Sequence, residues 1–96
     1  MNRNIQLWDV TTGNKIYTLT GHCARVSTVA FHPKHQTLIS GGWDGNIKLW
    51  DLKIGREIET ITEHSDKILS VAIAPHGKSF ISSSVDNTVK IWQLNL

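Results

Sequence analysis

The sequence predicts an all-β fold built from four-stranded antiparallel meanders, about two of them in the chain. Three observations carry that expectation. A phrase is written nearly three times, as NIQLWDV at residues 4–10, NIKLWDL at 46–52 and TVKIWQL at 88–94. Its tryptophans, Trp8, Trp50 and Trp92, stand at a constant step of 42 residues. Other pairs keep that step: Gly13 with Gly55, His22 with His64, Val29-Ala30 with Val71-Ala72, Pro33 with Pro75, Ser40 with Ser82 and Asp44 with Asp86. A fixed period of this size marks a repeat architecture, in which one supersecondary unit buries its face only against a neighbour. Finally, each unit divides into short runs rich in β-branched and aromatic residues, separated by turn signals.

The elements follow in order. Residues 4–9 match the third strand of a unit and residues 15–20 its fourth, so the chain opens on a partial blade. A full set comes next. VSTVAF (26–31) ends at His32-Pro33, and TLISG (37–41) ends at Gly42-Trp43-Asp44-Gly45. NIKLWD (46–51) ends before Lys53-Ile54-Gly55, and EIETIT (57–62) ends at Glu63-His64. Strands of first, second and third type then recur, the last at 88–93. The expected organisation is a partial blade, a full blade over 21–62, and a blade over 63–96 that lacks its outer strand. Connections this short join neighbouring antiparallel strands. The inner strands carry Val29, Ala30, Phe31, Leu38, Ile39, Ile47 and Leu49, whereas Lys15, Thr18, Glu57 and Glu59 make the outer strand more polar. Sheets packed on both faces near their inner strands and wetted at the outer edge suit a radial stack. Two sheets alone would leave apolar faces uncovered.

Composition narrows the function classes. With 40% apolar and 19% charged residues over 96 positions, the chain is an ordinary globular one, with material for one domain at most. No apolar run approaches the roughly 20 residues of a membrane span, and the opening MNRNIQLWDV lacks the core of a signal peptide, so the cytoplasm is the expected compartment. Cys23 is the single cysteine, which excludes an internal disulfide. The net charge of +2 is scattered, and nucleic acid is not an expected partner.

A histidine before the first strand, an aspartate in the turn after the second and Trp-Asp closing the third together resemble the WD-repeat (WD40) family of β-propellers. Gly21-His22 matches that family's Gly-His element, while Glu63-His64 keeps only the histidine; Trp8-Asp9 and Trp50-Asp51 match its Trp-Asp ending, while Trp92-Gln93 keeps only the tryptophan. The resemblance implies propeller blades, no enzymatic activity, no cofactor, and a buried hydrogen-bonded tetrad in each blade. Carried over, the tetrads are His22, Ser40, Asp44 and Trp50, then His64, Ser82, Asp86 and Trp92, with Ser84 as an alternative to Ser82. It further implies a rim that meets protein or peptide partners, at Arg25, Ser27, Trp43, Lys67, Leu69 and Val85. An exposed tryptophan beside an arginine is the composition favoured at binding hot spots; local packing of Trp43 over its own turn is the alternative.

Sharper chemistry finds less support. Ser, His and Asp in each repeat imitate a hydrolase triad, yet a constellation repeated in every blade argues against a single active site. His32 and His35 flank Pro33 in an expected solvated turn without a third ligand, so no metal is expected. His22-Cys23 is a weaker pair still, and Gly41, Gly42 and Gly45 read as turn glycines.

Propellers have about four to eight blades, and two are too few. One expectation is head-to-tail assembly of copies, residues 15–20 of each adding to the open edge at 88–93 of the next, which gives a trimer of six blades or a tetramer of eight. Strand 4–9 is then surplus and must fray, swap or cover an edge. The other expectation is that the 96 residues belong to a longer chain with further repeats.

Overall fold

The computed structural model describes residues 3–94, and its strands fall into three antiparallel sheets. Strands β1 (Ile5–Trp8) and β2 (Lys15–Leu19) form a two-stranded sheet. Strands β3 (Val26–Phe31), β4 (Thr37–Gly42), β5 (Ile47–Asp51) and β6 (Arg56–Ile61) form a four-stranded meander. Strands β7 (Ile68–Ile73), β8 (Ser79–Ser84) and β9 (Val89–Gln93) form a three-stranded one. The all-β, blade-like class read from the period is therefore the class observed.

The repeat governs even the irregularities. Register slips at Val26/Thr28 and again at Ile68/Ser70, one period apart, and likewise at Leu7/Trp8 and Leu49/Trp50. Such bulges add a residue and sharpen the twist of a strand.

The middle sheet is covered on both faces. On one, Ile39, Ile47 and Leu49 pack against Ile68, Val71 and Phe80 of the third sheet. On the other, Leu38 and Trp50 pack against Leu19, with Ile5, Tyr17 and Leu52 alongside. This is why every residue of β4 is buried. Residues 4–9, expected to be surplus where copies stack head to tail, pair as β1 with β2 in the single chain, and the pair roofs Leu38 and Trp50. The roof is half a blade wide, so Val29 and Phe31 of β3 stay exposed. At the far end Ile81, Val89 and Ile91 are exposed too. Leu49 is 3% exposed and Ile91, one period on, 76%. The same position is core where a following sheet covers it and surface where none does.

Two glycines read as turn residues lie inside β4 instead. Gly41 sits where a Cβ would come within 2.4 Å of Ile68 Cγ2, so the close approach of the third sheet requires it; of the three, only Gly45 has a positive φ.

Candidate functional site

Each full-length unit gathers four polar side chains from four places in the chain. His22 lies on the loop between β2 and β3, Ser40 in β4, Asp44 in the β4–β5 turn and Trp50 in β5. Trp50 Nε1–H donates to Ser40 Oγ at 2.8 Å. The serine hydroxyl then donates to His22 Nε2 at 2.7 Å, which leaves the imidazole proton on Nδ1, 3.1 Å from its acceptor Asp44 Oδ2. The network itself fixes the tautomer. Asp44 also accepts from the backbone N–H groups of Cys23 and Asn46, both at 3.0 Å. Gly42 makes room for this contact, because a Cβ there would lie 2.8 Å from both Asp44 Oδ1 and His22 Nδ1.

The electrostatics follow the geometry. Burial pushes the His22 imidazole below its ordinary value, and Asp44 offsets that only in part. Burial alone would raise Asp44, but the Asn46 and Cys23 amides and the His22 ring outweigh it and hold the carboxyl low.

The second unit repeats the pattern. Trp92 Nε1–H donates to Ser82 Oγ at 2.9 Å, Ser82 to His64 Nε2 at 2.7 Å, and His64 Nδ1–H to Asp86 Oδ2 at 3.0 Å. Asp86 is held well below the carboxylate range, first by the Thr88 hydroxyl and then by His64 and the backbone N–H groups of Ser65 and Thr88. Between the two serines weighed for this site, the structure brings Ser82 to it. Ser84 takes the place of Gly42 and donates to the carbonyls of Lys67, at 2.8 Å, and Asp66, at 3.2 Å.

The connectivity is that of a hydrolytic triad, but Ser40 and Ser82 are 0% and 1% exposed and each already accepts an indole N–H. A hydroxyl so placed cannot reach a substrate carbonyl. His32, expected in a solvated turn, is buried. Its Nε2–H donates to Gly77 O at 2.8 Å, and its Nδ1 accepts from the backbone N–H groups of Lys34 and His35 at 3.0 Å, so it ties the middle sheet to the third. His35 is exposed.

Sequence reasoning missed a further buried group. Lys48, 6% exposed, donates from Nζ to Glu57 Oε1 and Thr60 Oγ1, both at 2.8 Å, and the Thr60 hydroxyl donates to Glu57 Oε2 at 2.6 Å. Lys48 and Thr60 together hold Glu57 below its ordinary value. The signal was present in the alternation of β5 and the Glu-x-x-Thr of β6, but it needed their register, Lys48 opposite Thr60, to be seen.

The rim residues divide. Trp43, 39% exposed, lies beneath two cations: Arg25 Cζ is 5.1 Å and Lys67 Nζ 4.4 Å from its ring centre. The two cations come from successive sheets, Arg25 just before β3 and Lys67 just before β7. Neither forms an ion pair among the described residues. Leu69 and Val85 are 57% and 44% exposed. Ser27 is exposed, and its hydroxyl is engaged: the group bonds to Ile68 O at 2.5 Å and Gly41 O at 3.1 Å, joining the two sheets.

Comparison with known proteins agrees with this geometry. The chain is similar to guanine nucleotide-binding protein subunit beta-5b of Danio rerio, 46% identical over 41 residues, which is 43% of this chain and 10% of that protein. It is also similar to the periodic tryptophan protein 2 homolog of Neurospora crassa, 44% identical over 41 residues, 43% of this chain and 5% of that protein. The chain thus spans a tenth or less of the curated relatives it matches. The family described as WD domain, G-beta repeat matches residues 13–51, from just before β2 to the end of β5, and residues 55–93, from just before β6 to the end of β9. With both tetrads and most of its length within those two matches, the chain belongs to the WD40 repeat family.

Proposed function

We propose that this chain is a non-enzymatic scaffold that captures a protein or peptide partner on the surface formed by Arg25, Trp43 and Lys67, with Leu69 and Val85 beside them. WD40 repeats serve as platforms for protein–protein interaction, and the finer reading names where this platform acts. One observation carries it: an exposed indole held under two cations that lack carboxylate partners. Cation–π contact of this kind orients an amphipathic ring at little entropic cost, and it leaves positive charge facing outward. A partner segment bearing a carboxylate beside an apolar side chain fits that surface. The tetrads contribute rigidity, since their serine hydroxyls are enclosed. We expect Trp43→Ala to lower partner capture at least tenfold while the tetrads and the assembly stay intact; unchanged capture, or loss of assembly instead, would count against the binding role.

The uncovered faces support head-to-tail assembly. Val29 and Phe31 lie one period before Val71 and Ile73, while Ile81, Val89 and Ile91 lie one period after Ile39, Ile47 and Leu49. Those later and earlier sets mate within the chain. The two free faces are therefore the two halves of an interface the molecule already makes. Copies joined through them give six blades as a trimer or eight as a tetramer. The short span relative to the curated relatives favours a second reading, in which the additional blades belong to the same polypeptide.

A further inference from the structure

Gly21 has Glu63 as its counterpart one period on. A Cβ at Gly21 would lie 3.0 Å from Glu57 Oε1, 3.1 Å from Trp50 Cη2 and 3.5 Å from Lys48 Cε. The residue at this position therefore looks onto whatever charge the fourth strand brings to its blade. Glycine leaves room for Glu57, which Lys48 holds at 2.8 Å.

The loop carrying Glu63 is anchored in the same way as the loop carrying Gly21. In both, the following histidine bonds to its serine at 2.7 Å and the next backbone N–H bonds to the turn aspartate. Glu63 thus stands exposed beside β9, where Lys90 and Trp92 hold the places of Lys48 and Trp50 opposite Ser82 and Phe80. A groove of about 470 Å³ opens there, lined by Thr60, Glu63, Trp92 and Leu94 among others. Among the described residues no strand pairs with the outer edge of β9.

An acidic fourth strand resembling β6 would bring a second carboxylate against Glu63, and like charges at such range repel. A strand with a cation at that position would be attracted instead. The chain contains both kinds: β6 carries Glu57 there, and β2 carries Lys15 one period earlier, with Thr18 in the place of Thr60. Within the single chain Lys15 lies over the Trp8 ring at 5.3 Å and forms no ion pair among the described residues.

We infer that the open edge of β9 takes β2 of a second copy, selected by pairing of that copy's Lys15 with Glu63, while its Thr18 meets Lys90 as Thr60 meets Lys48. The inference rests on the head-to-tail reading above and adds the residues that choose the strand. The strand displaced is β1, four residues long with Trp8 already 52% exposed. In return β7 to β9 cover Val29 and Phe31, which β1 leaves bare.

The test is a charge exchange in the full chain, with assembly followed by light scattering at low and high salt. Glu63→Lys alone and Lys15→Glu alone each weaken assembly about tenfold at low salt, and the double exchange restores it. Both positions are exposed, and tryptophan fluorescence confirms an intact fold. Assembly that ignores both single changes overturns the pairing and leaves head-to-tail stacking standing. A wild-type chain that stays monomeric overturns the stacking. In that case a synthetic peptide of residues 13–20 is titrated onto the monomer: tenfold weaker binding to Glu63→Lys, recovered by the Lys15→Glu peptide, upholds the pairing, and charge-independent or absent binding overturns it.

Discussion

At the scale of single residues, the tetrad turns acid into a destabilising agent by two separate steps. Neutral His22 accepts at Nε2 from Ser40, and a proton placed there would abolish that bond, in keeping with an imidazole held below its ordinary value. The unfolded chain therefore binds this proton first, and folding stability falls as pH drops below about 6.5, the unperturbed imidazole value. Asp44, Glu57 and Asp86, all depressed, contribute stability that is present above roughly pH 4 and lost as pH falls through their folded values. The thermal midpoint should be level above pH 7, decline as pH falls below about 6.5, and decline again below about 4. A His22→Gln chain should show a shallower first decline and keep the second. A midpoint that is constant from pH 8 to 5 in the wild-type chain would refute the assignment. The tetrad members were legible because each recurs at the same step. Lys48 and His32 were not, because their burial depends on partners set by sheet register and by the next sheet, at Glu57 and Gly77.

At the scale of elements, position in the repeat and position in the molecule have to be told apart. Leu49 and Ile91 are the same site in successive third strands, and only Leu49 has a sheet over it. Leu49→Ala should cost about 2–5 kcal/mol in urea unfolding of the dilute chain, as for a buried large-to-small change. Ile91→Ala should stay within about 0.5 kcal/mol, as for a surface change, while weakening any head-to-tail contact. Equal costs would mean that the Ile91 face is already covered. Strand type and order were readable from alternation and turn residues to within a residue or two. The Gly41-Gly42 pair was misread because a glycine demanded by a neighbour's approach looks, in sequence, like one demanded by a turn. The docking of β1 and β2 over Leu38 and Trp50 was likewise invisible, since two strands have no period of their own to reveal which face they cover.

At the scale of the whole molecule, the free faces set an expectation for mass. If copies stack through them, light scattering should give three or four chain masses at micromolar concentration, with dilution returning the monomer. A persistent monomer would direct attention to blades supplied elsewhere in a longer polypeptide. A consequence of a different kind follows from the phase of the repeat. The unit recognisable in sequence runs from the fourth strand of one sheet through the third strand of the next, so β6 is written with the second unit yet folded into the middle sheet, with the strands of the first unit. The join between units falls in the turn at Lys53-Ile54, which is exposed. A nick there would part the polypeptide without parting the fold, because β6 would remain hydrogen-bonded to β5 from the other piece. Two fragments divided at that turn should recognise one another and rebuild the whole. Duplicating or deleting a unit would likewise leave every seam interlocked.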